Sequence, residues 1–283
     1  MPNPYSTPSF INEAFREWYV YSGTQCLGYV PFSISAFLVR QGLLVENGTR
    51  LELSGKHETA QNLSCRLEDV RDALCREGLI VPHRCEAMDV CYSSTSSPIA
   101  KVDRSALRIL GLWATKVHVN GFVKDLSSGR AYIWLSQRSD AANAAPGHWD
   151  TLVAGGKASG VSMLQTAIKE GWEEAGIAEE HMRRLAPRGR IPVVYFSKQG
   201  MHRELLVSYD LSLPADFKPE CHDGEVQDFL RIEATRLRME SDPALPIKFS
   251  SRMVLDHHLN GNARRQEQLS QDNLTSLPAS QIS

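Results

Sequence analysis

The chain has 283 residues, 42% hydrophobic and 23% charged, with a formal net charge of −2. That length suffices for one large core or two small ones without disulfides. A charge so near zero excludes a protein drawn to nucleic acid or to an anionic membrane by its overall field, and apolar runs such as the one around Phe37 and Val39 are too short to span a bilayer.

Three regions separate along the chain. In the first, 1–105, segments 15–21 and 26–30 read as a strand pair around Ser22-Gly23. Segment 36–42 reads as a helix. Segment 63–78 reads as another, with Leu67, Val70 and Leu74 spaced for one face and Gly78 to end it. A Ser- and Thr-rich stretch, 93–98, precedes the junction. In the second region, 106–261, residues 117–123 alternate apolar and polar, 125–129 supply turn residues, and 131–135 resume a strand. A helix is expected over 162–175, a second strand pair over 191–196 and 204–209 around Lys198-Gln199-Gly200, and a closing helix over 246–259. The third region, 262–283, is rich in Gln, Ser and Asn and is expected to be disordered. The start of the chain has Pro and Ser where a secretory signal places basic and then apolar residues, so a cytoplasmic setting is expected. The six cysteines show no CxxC pair and read as scattered thiols in a reducing compartment.

The chemistry concentrates between Gly155 and Ile177. Gly155, Gly156 and Gly160 let a backbone approach a ligand closely. Ser162 with Gln165 three residues on marks a helix start, and Gly176 sits where a left-handed C-terminal cap is wanted. Leu164, Ile168, Gly171 and Ala175 form a stripe expected to face the core. Glu170, Glu173 and Glu174 lie on another arc at i, i+3, i+4 spacing. Carboxylates so placed repel one another, and the helix C-terminus disfavours them further. A hard divalent cation reverses that sign, and Mg²⁺ takes such carboxylates together with substrate phosphates. The plain alternative is a solvated acidic face. Gly171, which costs a helix about 1 kcal/mol relative to Ala, is not explained by helix stability.

The segment resembles the Nudix box: Gly, five residues, Glu, seven residues, Arg-Glu, an aliphatic, any residue, Glu-Glu, any residue, Gly and an aliphatic. It matches at Gly155, Glu170, Glu173, Glu174, Gly176 and Ile177, and departs at Val161, Lys169 and Gly171. The flanks, Trp113 to Phe122, Leu135 to Ser139, Pro146 to Asp150 and Asp223-Gly224-Glu225-Val226, are similar to the Nudix hydrolase subgroup related to the N-terminal part of fused thiamine pyrophosphokinases. The N-terminal region, with Gly28-Tyr29-Val30-Pro31, is similar to the extra domain of that subgroup. The resemblance implies an α/β fold, a Nudix α/β/α sandwich with a mixed sheet, plus a smaller α+β N-terminal domain. It implies an Mg²⁺-dependent hydrolase (Mn²⁺ as substitute) of a small-molecule diphosphate, thiamine diphosphate or its oxidised analogues, giving the monophosphate and phosphate. Glu173, Glu174 and Glu170 would hold the metal with the Gly155 carbonyl, and Glu170 would alternatively orient the attacking water.

Glu225, in a turn able to present a carboxylate after the box, is a further candidate ligand or base. Arg138 and Arg203 are candidate phosphate contacts. Lys169 replaces the expected Arg and lacks its bidentate fork, so a looser bridge to a Glu is expected. His118 and Trp149 are candidates to line a pocket for an aromatic ring, with packing the equal alternative for Trp149. Rival readings are a non-catalytic Nudix-fold binding module, suggested by Val161 and Lys169, and an enzyme like isopentenyl-diphosphate isomerase, with which Trp149-Asp150 is compatible. The N-terminal region is a candidate to shape the pocket, to cover it or to mediate a homodimer.

Overall fold

The computed structural model describes residues 15–260 apart from 22, 49, 56–58, 83–84, 126–127, 198 and 238–244. The expected disordered tail lies outside the described residues, as do Ser22 and Lys198 of the two expected turns.

Strand β1 (Phe15–Tyr19) pairs antiparallel with β2 (Cys26–Pro31), as the sequence suggests. It pairs parallel with β4 (Arg50–Leu53), which carries β3 (Leu44–Asn47) on its far edge. Helix α1 spans Phe32–Arg40, four residues earlier than its expected start. Pro31 is its N-cap, so the strand leads directly into the helix. Helix α2 (Ala60–Arg76) is capped by Thr59, whose hydroxyl accepts from the Asn62 amide at 3.1 Å. Leu63, Leu67, Val70 and Leu74 bury its inner face, and Gly78, at φ 71°, turns the chain away. Strands β5 (Ala87–Val90) and β6 (Ala100–Asp103) form a short antiparallel pair. This first core runs from Trp18 to Leu112, beyond the expected boundary at 105. Trp18 Nε1 donates to the Leu110 carbonyl at 2.9 Å, which ties that last stretch to the first strand.

The second core is built on β7 (Trp113–Lys124). One edge of β7 pairs parallel with β12 (Gly200–Ser212), which pairs antiparallel with β11 (Ala186–Ser197). The other edge is shared. Strand β8 (Ala131–Arg138) pairs only with Gly121 to Lys124, and β10 (Val153–Gly156) with Lys116 to Val119. Beyond the fork, β8 carries β9 (Trp149–Thr151) and β13 (Val226–Glu233), a strand that the sequence reading did not separate from its turn. The fork has a packing cause. Fully buried Leu152 enters it against Gly121, where a Cβ would stand 2.3 Å from Leu152 Cδ2.

Helix α3 (Met163–Ala175) covers one face of this sheet through Ala167 and Ala175, against Val117, Val119 and Val153. Short α4 (Glu179–Met182) and α5 (Ala234–Leu237) follow, and α6 (Phe249–Asn260) covers the other face through Val254, Leu255 and Leu259. Helix on mixed sheet on helix is the α/β/α sandwich that the sequence implies. Among the described residues no helix is long and apolar enough to cross a membrane.

Candidate active site

Helix α3 is set by its ends. Ser162 Oγ accepts from the Gln165 amide at 3.2 Å, and Gln165 Oε1 accepts from the Ser162 amide at 3.0 Å, a complete capping box. Gly176, at φ 63°, turns the amides of Gly176 and Ile177 back onto the carbonyls of Trp172 and Gly171. The loop that follows β12 meets two more of the end carbonyls: Glu220 N donates to Ala175 O at 3.2 Å and His222 N to Glu173 O at 2.7 Å. That loop continues as Asp223-Gly224-Glu225, where Asp223 Oδ1 accepts from the Glu225 amide at 2.9 Å. The carbonyls of one helix end thus bring Glu225 beside the box.

The buried face of α3 keeps Gly171 and Ala175 of the expected stripe, with Ile168 packed at its border, and corrects it at Leu164. Leu164 is 40% exposed, whereas Thr166, Ala167, Gly171, Glu174 and Ala175 are buried. Small residues face inward because α3 lies close to its neighbours. A Cβ on Gly171 would stand 2.7 Å from Met182 Cε, which accounts for a glycine where the box carries an aliphatic. Close approach also puts Glu174, 4% exposed, against β10, where its Oε2 accepts from the Ala154 amide at 2.7 Å. Glu170 lies over Gly155, with its Cγ 2.2 Å from where a Cβ would stand, so only glycine leaves Glu170 in this position. Glu173 is on the outer side, bonded to Lys169 Nζ at 2.5 Å; that contact is close, not loose as expected for Lys in place of Arg.

Electrostatics separate the carboxylates. Burial raises the Glu174 carboxyl well above its usual range, and the negative charges of Glu170, Asp150 and Glu225 add to it against the Ala154 hydrogen bond. Burial likewise raises Glu170, with Glu173 adding and Lys169 and Arg104 opposing. Among the described residues Glu174 has no ion-pair partner, and no three Asp, Glu, His or Cys side chains are gathered closely enough to hold an ion unaided. An all-oxygen set that is incomplete until a substrate's phosphate oxygens join it fits Mg²⁺, which keeps waters and phosphates among its ligands.

A cleft of about 600 Å³ lies between the two cores. Arg104, Met88 and Leu79 line it from the first; Gly156, Arg138 and Glu225 line it from the second. Arg138 is held there by Nε donating to the Ala144 carbonyl at 2.8 Å, with Nη1 3.6 Å from Asp150.

Three expected substrate contacts take other places. His118 is fully buried on the face of β7 turned away from α3, with Nδ1 2.9 Å from Thr151 Oγ1, and desolvation lowers its pKa to about 3. Trp149 packs with Ile133, Leu135 and Ile232 in the α6-side core. Arg203, 9% exposed, donates Nη1 to the carbonyls of Leu27 at 3.0 Å and Gly111 at 2.9 Å and lies over the rings of Tyr29 and Trp113. Its Nη1 bonds tie the two cores, while the residue still lines the cleft. Asp150, next to Trp149, is a buried anchor whose carboxylate meets Lys248 Nζ at 2.6 Å and Ser251 Oγ. Burial alone would raise its pKa, but Lys248, His118 and Arg138 hold it well below the carboxylate range.

Sequence reasoning missed Arg104 and the buried Lys116–Glu204 pair at 2.6 Å, which lines the cleft floor. Desolvation lowers Lys116 to about 8, and the Lys116 charge with the His202 hydrogen bond holds the Glu204 carboxyl well below its usual range despite its burial. No local pattern announces these residues; strand register and domain packing bring them together.

Residues 115–248, the stretch that forms most of the sandwich, match the sequence profile of the NUDIX domain. In sequence the chain is similar to Nudix hydrolase 24, chloroplastic, of Arabidopsis thaliana, with 34% identity over 58% of this chain and 44% of the relative. It is also similar to Nudix hydrolase 20, chloroplastic, of the same plant, with 33% identity over 60% of this chain and 45% of the relative. The chain thus spans under half the length of these curated relatives. Among solved structures, the E. coli dihydroneopterin triphosphate pyrophosphohydrolase is 19% identical with a TM-score of 0.39, over 52% of this chain and 95% of that one.

Proposed function

We propose that the chain is an Mg²⁺-dependent pyrophosphohydrolase that cleaves a small-molecule diphosphate in the cleft between its two cores. The observation that carries this reading is the group of Glu170, Glu174 and Glu225 beside the Gly155-Gly156 strand, with Glu174 buried among like charges. Burying a carboxylate among carboxylates costs stability unless a cation joins them. Mg²⁺ bound there would neutralise phosphate charge and acidify a water.

The chain's own residues supply the rest. Glu173 and Glu174 would hold the metal, together with the Gly155 carbonyl and Glu170. Glu170, whose carboxyl is raised by burial, is the candidate to take the proton of an attacking water. Glu225 presents a second carboxylate to the cleft from the loop beside the box. Arg138 faces the same space as a candidate phosphate contact, and Lys169 holds Glu173 in place. The apolar Leu79, Ile80 and Val81 at the rim suit an organic group on the diphosphate. Thiamine diphosphate and its oxidised forms are the first substrates to try, on the resemblance of the box and its flanks to the thiamine pyrophosphokinase-related subgroup.

Glu173→Gln and Glu174→Gln, assayed for Mg²⁺-dependent phosphate release across a panel of diphosphates with Mg²⁺ and Mn²⁺ compared, test the reading. Loss of most turnover is expected from each. Activity within a few-fold of the parent would remove the assignment.

A further inference from the structure

Arg104 stands where the two cores meet, at the head of a single 3-10 turn, Arg104–Ala106. Asp103 caps that turn, accepting from the Ser105 amide at 3.0 Å and from Ser105 Oγ at 2.6 Å, and its other oxygen accepts from the Glu86 amide at 3.3 Å. The Arg104 amide donates to the Glu86 carbonyl at 2.9 Å. The backbone under the side chain is therefore fixed from both directions. Nη1 then donates to Glu86 Oε2 at 2.7 Å, which sets the plane of the guanidinium. Nη2 lies over the glycine strand, 3.5 Å from where a Cβ on Gly156 would stand. The side chain is 39% exposed and lines the cleft.

The surroundings say what such a group is for. Glu170 and Glu225 both act on its charge, yet its ion pair is with Glu86 of its own domain. A side chain recruited only to neutralise the acidic group would close on it. Here one edge of a planar fork is held by a carboxylate and the other overhangs the strand where a bound diphosphate would lie. That is the geometry of bidentate phosphate recognition with the ordering cost already met by the fold. Charge argues the same way: a diphosphate brought to four nearby carboxylates needs more positive charge than one dication carries.

We propose that Arg104, supplied by the N-terminal domain, binds the substrate's phosphate from across the cleft, so that the NUDIX domain's site is complete only with the first domain in place. This rests on the diphosphate reading above.

The test is calorimetry of the full chain with methylenediphosphonate, a diphosphate that cannot be hydrolysed, at saturating Mg²⁺. Arg104→Gln is expected to weaken diphosphonate binding by about 10- to 100-fold, the range for losing hydrogen bonds to a charged group. Arg104→Lys should fall between the two, because an ammonium keeps the charge without the fork; it also keeps the test alive if the Gln variant folds poorly. Mn²⁺ affinity without diphosphonate is measured alongside. A role confined to neutralising the carboxylates would change Mn²⁺ affinity and leave diphosphonate affinity at saturating Mg²⁺ as in the parent, and that outcome overturns the inference while the diphosphate reading stands. A parent chain that does not bind diphosphonate overturns both.

Discussion

Replacing Gly155 by Ala separates stability from catalysis at this site. A Cβ at 155 would stand 2.2 Å from Glu170 Cγ, 2.3 Å from Cδ and 2.7 Å from Oε1. Ordinary contact begins near 3.4 Å, so the Glu170 side chain must retreat by about 1.2 Å, the difference of 3.4 and 2.2. Gly155 has no positive φ, so Ala brings no backbone strain of its own. The displaced group is a flexible side chain, 15% exposed, and it can swing toward solvent. The stability cost should therefore sit at the low end of overpacking, about 1 kcal/mol, or roughly 2–4 °C in Tm for a chain of this size. Catalysis should respond very differently, because moving a reacting group by about 1 Å costs on the order of 100-fold. The assay pairs kcat for Mg²⁺-dependent phosphate release with a thermal melt. In a Glu170→Ala background, Gly155→Ala should lose most of its stability penalty, since its clash partner is gone. A Gly155→Ala enzyme with kcat within a few-fold of the parent would refute the placement of Glu170 at the reaction centre.

Glu174→Gln should stabilise the metal-free chain. A carboxyl raised in the fold contributes stability that is full below its unfolded pKa and lost as pH rises through the folded one; Gln avoids that loss and can still accept from Ala154. In EDTA the two proteins should melt alike in acid and diverge toward pH 8 by on the order of 1 kcal/mol in favour of Gln; superimposable profiles would contradict the burial argument. Protons compete with Mg²⁺ for the raised Glu170 and Glu174 carboxyls, so the Tm increment given by Mg²⁺ should shrink as pH falls, and a pH-independent increment would count against these ligands. Asp150→Asn leaves buried Lys248 without its counter-charge and should cost about 3–5 kcal/mol in urea unfolding. Arg203→Met removes two carbonyl bonds across the core junction and should cost about 2–4 kcal/mol, with diphosphonate affinity unchanged in the variant that remains folded; weakened affinity would restore Arg203 to the phosphate site.

The local signals in the chain were reliable where their physics is local. Ser162, Gln165 and Gly176 act on amides and carbonyls a few residues away, and the helix they delimit runs over Met163–Ala175, within the expected 162–175. The strand pair of 191–196 with 204–209 was found at the expected places and is longer on both sides, because β12 is sheltered between two neighbours over its length. Hydrophobic character misjudged the inner face of α3 only at its first turn, since Ile168, Gly171 and Ala175 do turn inward. It favoured Leu164 over Ala167, whereas close packing against Met182 and β10 selects small residues, and that approach takes Glu174 inside with them.

From its residues alone this protein determined the glycine loop, the capped helix and three carboxylates at i, i+3, i+4, because spacing along one helix turn is a property of the chain itself. Tertiary structure decided what each group became. Packing of Val117 and Val119 beneath α3 set which face His118 occupies, and the end carbonyls of α3 drew in Glu225 from fifty residues further along. Packing of the first core against the second turned Arg203 into a tie and put Arg104 over Gly156. Such placements depend on strand pairing and domain docking between residues far apart in sequence, and no window short enough to show a motif contains both partners.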